Sequence, residues 1–188
     1  GWRTRVQFAV DPAGRVGFRR HRSHEIEPVD ACLIAHPLVE SLGIEGQRWP
    51  GVTGIKVAVS IGSGEALVET VEVAGSPADP SDEYLVESAA GRTWRVSGTG
   101  FWQIHPAAAD TLVGCVLELL APRPGERALD LYSGVGLFAG ALAERLGPDG
   151  RVIAIESDRR AVRDARHNLA DLPAVRVLPG RVERAIPR

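Results

Sequence analysis

Ala128-Leu-Asp-Leu-Tyr-Ser-Gly-Val-Gly-Leu-Phe-Ala-Gly140 is the stretch whose reading decides how this chain folds. Ala128 to Leu131 has the composition of a buried strand, Gly134 and Gly136 allow a tight turn, and helical spacing begins at Leu137. Without side chains in the way, the turn lets a ligand lie against the backbone where the helix start exposes unpaired N–H groups. That arrangement is a nucleotide-type site.

The residue before the glycines narrows the ligand. A pyrophosphate turn follows an apolar strand directly, whereas here Asp130 stands at the strand end and would repel a dianion. A carboxylate there suits a cationic ligand, directly or through water. S-adenosylmethionine, with its ammonium and sulfonium, fits that requirement, and an NAD-binding Rossmann protein is disfavoured. Glu156 closes the apolar run Val152-Ile-Ala-Ile155 about twenty residues after the glycines, where an acid bonds ribose hydroxyls.

Working outward, Leu137 to Leu146 reads as a helix stopped by Gly147-Pro-Asp-Gly150. Strand Arg151 to Glu156, a helix from Asp158 to Leu169 and strand Ala174 to Leu178 follow. Ser157 or Asp158 caps that helix. The order β-α-β-α-β is one half of a doubly wound parallel sheet. Upstream, Pro106 opens a helix through Leu120, with Leu112, Val113, Val116, Leu119 and Leu120 as its apolar stripe and Cys115 beside it, expected in the core.

Residues 1–97 read as an antiparallel α+β module, and residues 98–188 as a partial Rossmann-like domain with its first three parallel strands. Arg3 to Val10 and Arg15 to Arg20 form a hairpin around Asp11-Pro-Ala-Gly14, with arginines on one face. Arg3, Arg5, Arg19 and Arg20 are then either a phosphate-contacting patch or a solvated face. His21 to Pro28 is an irregular connection, and a short helix lies near Leu38 to Leu42. His24 and His36 are surface or capping residues, and Cys32 is a small buried apolar residue. Strands are expected at Ile55 to Ile61, Ala66 to Val73, Tyr84 to Glu87 and Thr93 to Val96, with a loop from Ala74 to Asp82.

The composition excludes several classes. A net charge of −2 over 188 residues argues against a wholly basic nucleic-acid coat, although the first segment is arginine-rich and the middle acidic. Two cysteines without CxxC spacing exclude a disulfide scaffold and a self-contained zinc site, and point to a reducing, cytoplasmic setting. No apolar run is long enough to span a membrane, so none is expected as a partner. Methionine is absent even at position 1, which reads as an internal piece of a longer chain.

Phe101-Trp-Gln-Ile-His-Pro106 could line a base pocket or simply seal a domain junction, and composition favours the seal. That segment, a helix, and then Leu129-Asp-Leu-Tyr-Ser-Gly-Val-Gly-Leu-Phe138 together resemble the uracil-5 RNA methyltransferase family, which makes 5-methyluridine in tRNA and 23S ribosomal RNA. Gly1-Trp-Arg-Thr-Arg5, Val16-Gly-Phe-Arg-Arg20 and Val29-Asp-Ala-Cys-Leu-Ile-Ala-His-Pro37 resemble the same family's central domain. The resemblance implies a first-half class I methyltransferase sheet, S-adenosylmethionine as cofactor and RNA as partner. It makes Gln103 a cofactor-binding glutamine, Tyr132 the aromatic after the strand acid and Glu156 the ribose acid. With Asp130, Gly134 and Gly136 these form the expected donor site.

The family's mechanism implies a cysteine thiolate adding to uracil C6 and a base removing the C5 proton. Neither Cys32 nor Cys115 matches that nucleophile motif, so the catalytic residues are expected beyond Arg188 and the fragment alone is expected to be inactive. Leu137 stands where the family usually has Asn, His105 where Asn is common, and Arg181 near the usual adenine-contacting Asp or Asn. Cys32 resembles the last of four cluster-binding cysteines in some members, but no cluster can be assigned to this chain. The competing readings are a class I methyltransferase acting on a small molecule or protein, and a non-catalytic RNA-binding fragment.

Overall fold

Alternation builds the N-terminal half. In the computed structural model, which describes residues 1–72 and 83–185, Val6, Phe8 and Val10 of β1 (Arg5–Val10) all point to one buried side. β1 is central in a five-stranded antiparallel sheet of order β3-β2-β1-β4-β5, with β2 Val16–Arg19, β3 Ile26–Pro28, β4 Val52–Val59 and β5 Ala66–Glu72. Register sets Val6 opposite Val57 and Phe8 opposite Ile55, so both strands feed one core. α1 (Pro37–Glu40) closes that core with Val39, and His36 caps it by accepting from Leu38 N at 3.2 Å. Cys32 is buried there, as expected.

The segment expected to be an irregular connection contains β3. Gly17 permits it, because a Cβ there would lie 2.1 Å from the Glu27 carbonyl oxygen, so only glycine lets the two backbones approach and pair. The loop expected from Ala74 to Asp82 lies outside the described residues.

β4 is buried on both faces because a second layer covers its far end. That layer is the hairpin of β6 (Tyr84–Ala89) and β7 (Arg92–Ser97), tied down where Ser60 Oγ donates to Val86 O at 2.6 Å. The hairpin's Trp94 and Val96 belong to the second core, together with Trp102 and the helices that follow. The division between cores thus lies ahead of residue 97.

The second core packs α2 (Ala108–Leu120), α3 (Leu137–Leu146) and α4 (Arg159–Asn168) with a parallel sheet of order β10-β9-β8. Its strands are β8 Arg127–Leu131, β9 Arg151–Glu156 and β10 Val175–Pro179, and a short turn of helix, α5, spans Val182–Ala185. These are the three parallel strands expected from the sequence. Gly140 allows α3 to sit on the hairpin, since a Cβ there would lie 2.7 Å from the Trp94 ring.

One expectation fails on α2. Ala109 and Val113 carry its packing, while Leu112, Leu119 and Leu120 face outward and Cys115 is exposed. The stripe is apolar by spacing, but no described element covers that part of the helix. Leu129 and Leu131 of β8 are exposed likewise, alternating with the inward Ala128 and Asp130.

Candidate functional site

The glycine turn after β8 has the backbone its sequence requires. Gly134 and Gly136 take φ of +54° and +95°, and Tyr132 is held at +60°. A positive φ strains a bulky aromatic residue, and such strain concentrates at sites that use it. The two glycines have different reasons to be glycine. A Cβ on Gly136 would lie 2.6 Å from Leu169 Cδ1, whereas one on Gly134 would meet nothing within 4 Å. Gly134 therefore faces open space, and Gly136 serves close packing. Leu137, at the position where the resemblance expects an asparagine, is buried in the second core.

Glu156 ends β9 beside this turn. Its Oε2 accepts from Gly134 N at 2.9 Å, and its Oε1 accepts from Ser157 N at 2.6 Å and Asp158 N at 2.8 Å. The carboxylate thus joins the turn to the start of α4, where Asp158 caps the helix through Ala161 N. A carboxylate offers roughly four acceptor positions, so Oε2 keeps one for a ligand.

Asp130 lies behind the turn. Its Oδ2 accepts from Ala139 N at 2.9 Å, satisfying a free donor in the first turn of α3. Burial raises its pKa to about 6, the Ala139 bond lowers it, and nearby Glu156 raises it further. The folded state therefore holds this proton more tightly than the unfolded chain, whose carboxyl titrates near 3.8. Stability contributed by this group falls as pH rises through that window. Asp130→Asn keeps the accepting oxygen and removes the charge. It is expected to stabilise the ligand-free protein by about 1–3 kcal/mol at neutral pH, and to abolish the loss of stability between about pH 4 and about pH 6. Urea melts across that range check it, and an unchanged pH profile would count against the assignment.

A cavity of about 460 Å³ opens between the turn and the N-terminal module. Tyr132, Gly134, Glu156 and Asp158 line it from the turn and the start of α4, Ser97, Thr99, Gly100 and Phe101 from the segment after β7, and Lys56, Glu69 and Arg160 bring further charges to the lining. Two carboxylates hold the Ser97 to Phe101 segment. Asp164 of α4 accepts from Ser97 N and Ser97 Oγ, each at 2.7 Å. Glu69 of β5 accepts from Thr99 N at 3.0 Å and Thr99 Oγ1 at 2.7 Å. Gly98 between them takes a φ of +55°, and a Cβ there would also displace the Glu69 carboxylate. Phe101 is left exposed toward the cavity, while Trp102 turns into the core. The segment thus both seals the junction and walls the cavity.

The residues expected to act at this site are partly brought together. Tyr132, Gly134 and Glu156 line the cavity; Asp130 and Gly136 support it from behind. Gln103 lies outside the lining, beyond Trp102 on a segment whose Ile104 O accepts from Thr4 N and Thr4 Oγ1. His105 stacks on Trp2 at 5.5 Å, and Arg181 is exposed away from the lining.

The four arginines do not form one open face. Arg5 is largely buried, with Nη2 donating to Glu87 Oε1 at 2.8 Å and Nε to Gly100 O at 3.2 Å, so its expected RNA contact is corrected to an internal ion pair between the modules. Arg20 pairs with Glu25 and Glu27 on its own surface. Arg3 Nε donates to Arg5 O at 3.0 Å, and Arg19 borders a shallow groove with Gln7, Thr53 and Val71.

Sequence reasoning missed Lys56, Glu69, Thr99, Arg160 and Asp164. A signal existed for Asp164 alone: it shares the inward side of α4 with Val162, Ala165 and Asn168, an unusual place for an acid.

Residues 97–180 match the family model described as protein-L-isoaspartate(D-aspartate) O-methyltransferase. A Streptomyces avermitilis protein described as an uncharacterized RNA methyltransferase is 49% identical over 210 residues, covering 100% of this chain and 48% of that protein. A Corynebacterium glutamicum protein with the same description is 36% identical, covering 97% and 48%. The chain spans about half the length of the curated relatives it matches. In fold, it is similar to the Pyrococcus abyssi tRNA (uracil-54, C5)-methyltransferase crystallised with S-adenosyl-L-homocysteine. That likeness has a TM-score of 0.67 at 22% identity, over 94% of this chain and 54% of the other.

Proposed function

We propose that this chain binds S-adenosylmethionine and presents it to RNA for methyl transfer to C5 of a uridine, in tRNA or ribosomal RNA. The observation that carries the reading is the cavity in which Gly134, open on its ligand side, meets Glu156, whose Oε2 retains a free acceptor position. When bound there, S-adenosylmethionine supplies an electrophilic methyl group on a sulfonium. Glu156 accepts from the ribose hydroxyls, and the turn backbone allows close approach. Tyr132 and Phe101 offer aromatic faces at the cavity wall, and the negative field of Asp130 and Glu156 favours a cationic ligand. Gln103 enters this reading through the resemblance rather than through the lining.

The RNA half rests on the relatives' descriptions, on the fold likeness and on the outward cation Arg19. Neither Cys32, in the first core, nor Cys115, exposed on α2, lines the cavity. The residues of this chain are therefore assigned donor binding and RNA contact, and no covalent catalytic role. The isoaspartate methyltransferase model favours a second reading, a protein carboxyl group as acceptor, but it matches only the donor-binding half that many acceptors share.

Two measurements test the proposal. Calorimetric titration with S-adenosylhomocysteine is expected to give saturable heat, and folded protein giving none would overturn the donor site. Nucleoside mass spectrometry of RNA from cells lacking the gene is expected to show a loss of 5-methyluridine. Unchanged 5-methyluridine would remove uridine as the acceptor.

A further inference from the structure

We infer that the outer face of α4 is a phosphate-contacting ridge that guides an RNA strand to the lip of the donor cavity. The inference rests on the RNA reading above and extends it to residues outside the hairpin. α4 turns Val162, Asp164, Ala165 and Asn168 inward and leaves Arg159, Arg163, Arg166 and His167 exposed. From Arg159 to Arg166 is about two turns, or roughly 10 Å along the axis.

The charge pattern is not that of an ordinary solvated helix. Such a face mixes signs at i,i+4 spacing, but the acids of this segment are both engaged elsewhere. Asp158 caps the N-terminus, and Asp164 points inward to Ser97. Arg159 and Arg160 also occupy the first turn, where cations oppose the helix dipole. A polyanion laid along the face offsets both penalties.

Pairing separates Arg159 and Arg166 from the arginines that the fold has already neutralised. Arg5, Arg15, Arg20, Arg92, Arg95 and Arg160 each have a carboxylate within 4 Å. Among the described residues, Arg159 and Arg166 have no ion-pair partner, and both are exposed. Their position matters as much as their charge. Asp158 and Arg160 line the cavity, so the ridge begins at its lip, with Lys56 on the lining as a further cation. Arginine forks on such a track fit phosphate oxygens without reading bases.

The test is the double variant Arg159→Gln/Arg166→Gln, since glutamine keeps helix propensity close to that of arginine. Binding of a fluorescein-labelled single-stranded RNA containing uridine is measured by anisotropy across a potassium chloride series. The wild-type protein is expected to bind. The double variant is expected to show a salt slope shallower by about 1.4, because each phosphate neutralised on a single strand contributes roughly 0.7 and the variant neutralises two fewer. Its affinity for S-adenosylhomocysteine is expected to stay unchanged. If the wild type binds RNA and the variant keeps the same slope, the ridge is overturned while the RNA reading stands. A wild type that binds S-adenosylhomocysteine but no RNA sinks the RNA reading and the ridge with it. Competition by polyglutamate as strong as by unlabelled RNA would overturn RNA as the occupant and indicate an acidic protein segment.

Discussion

Glu156→Gln is expected to weaken S-adenosylhomocysteine binding about 10- to 100-fold, the range for losing charge-assisted hydrogen bonds of about 1.5–3 kcal/mol. Three backbone N–H groups, from Gly134, Ser157 and Asp158, converge on the two carboxylate oxygens. A carboxamide replaces one oxygen by an NH2 group, so either orientation sets a donor against a donor. If the amide nitrogen faces Gly134, the turn is pushed away from β9 and the remaining acceptor for a ribose hydroxyl is gone. If it faces Ser157 and Asp158, the start of α4 loses its anchor. Calorimetry measures the affinity, and far-UV circular dichroism confirms that the variant is folded. An affinity within about twofold of wild type would show that the ribose is held elsewhere.

The second large effect is on stability. Asp164→Ala is expected to lose about 3–5 kcal/mol, the cost of breaking a buried charged pair by deleting one partner. Asp164 is 1% exposed and joins three groups of β7 to α4. They are Ser97 N, Ser97 Oγ and, at 3.3 Å, Arg95 Nε. Deletion strands two donors and takes the carboxylate away from the Arg95 guanidinium, which keeps only its contact with the Tyr84 ring. Asp164→Asn keeps one acceptor and is expected to cost about 1–3 kcal/mol, in line with one unsatisfied buried donor. Denaturant midpoints at constant slope check both. Equal losses for the two variants would mean that volume, rather than the carboxylate, matters at this position. Because Ser97 lines the cavity, Asp164→Ala is also expected to weaken donor binding in whatever fraction remains folded.

These two acids differ in how far the sequence revealed them. Glu156 closes an apolar run at a set distance after two glycines, so the role proposed for it is read from spacing alone. Asp164 sits in Arg-Arg-Ala-Val-Arg-Asp-Ala-Arg, where its place on the side of Val162 and Ala165 hints at burial but names no partner. Its function exists only once the β6–β7 hairpin is laid across α4, bringing together residues 67 positions apart. Arg5 illustrates the same limit from the other side. Its charge marked it for RNA, but Glu87, 82 residues away, takes it into an internal pair. Cys115 and the outward leucines of α2 show that an apolar residue at helical spacing is buried only if some other element arrives to cover it.

The sequence by itself determined the three parallel strands, the turn whose glycines accept positive φ and the alternating face of β1, and it narrowed the caps to His36 and to Ser157 or Asp158. Each depends on interactions within a few residues or on strict side-chain periodicity, which are visible in a one-dimensional string. The tertiary structure alone decided which charges are neutralised, which arginines remain outward and which segment walls the cavity. Those outcomes depend on desolvation and on partners far along the chain, and a charged residue looks the same in sequence whether it meets water, a carboxylate or a ligand.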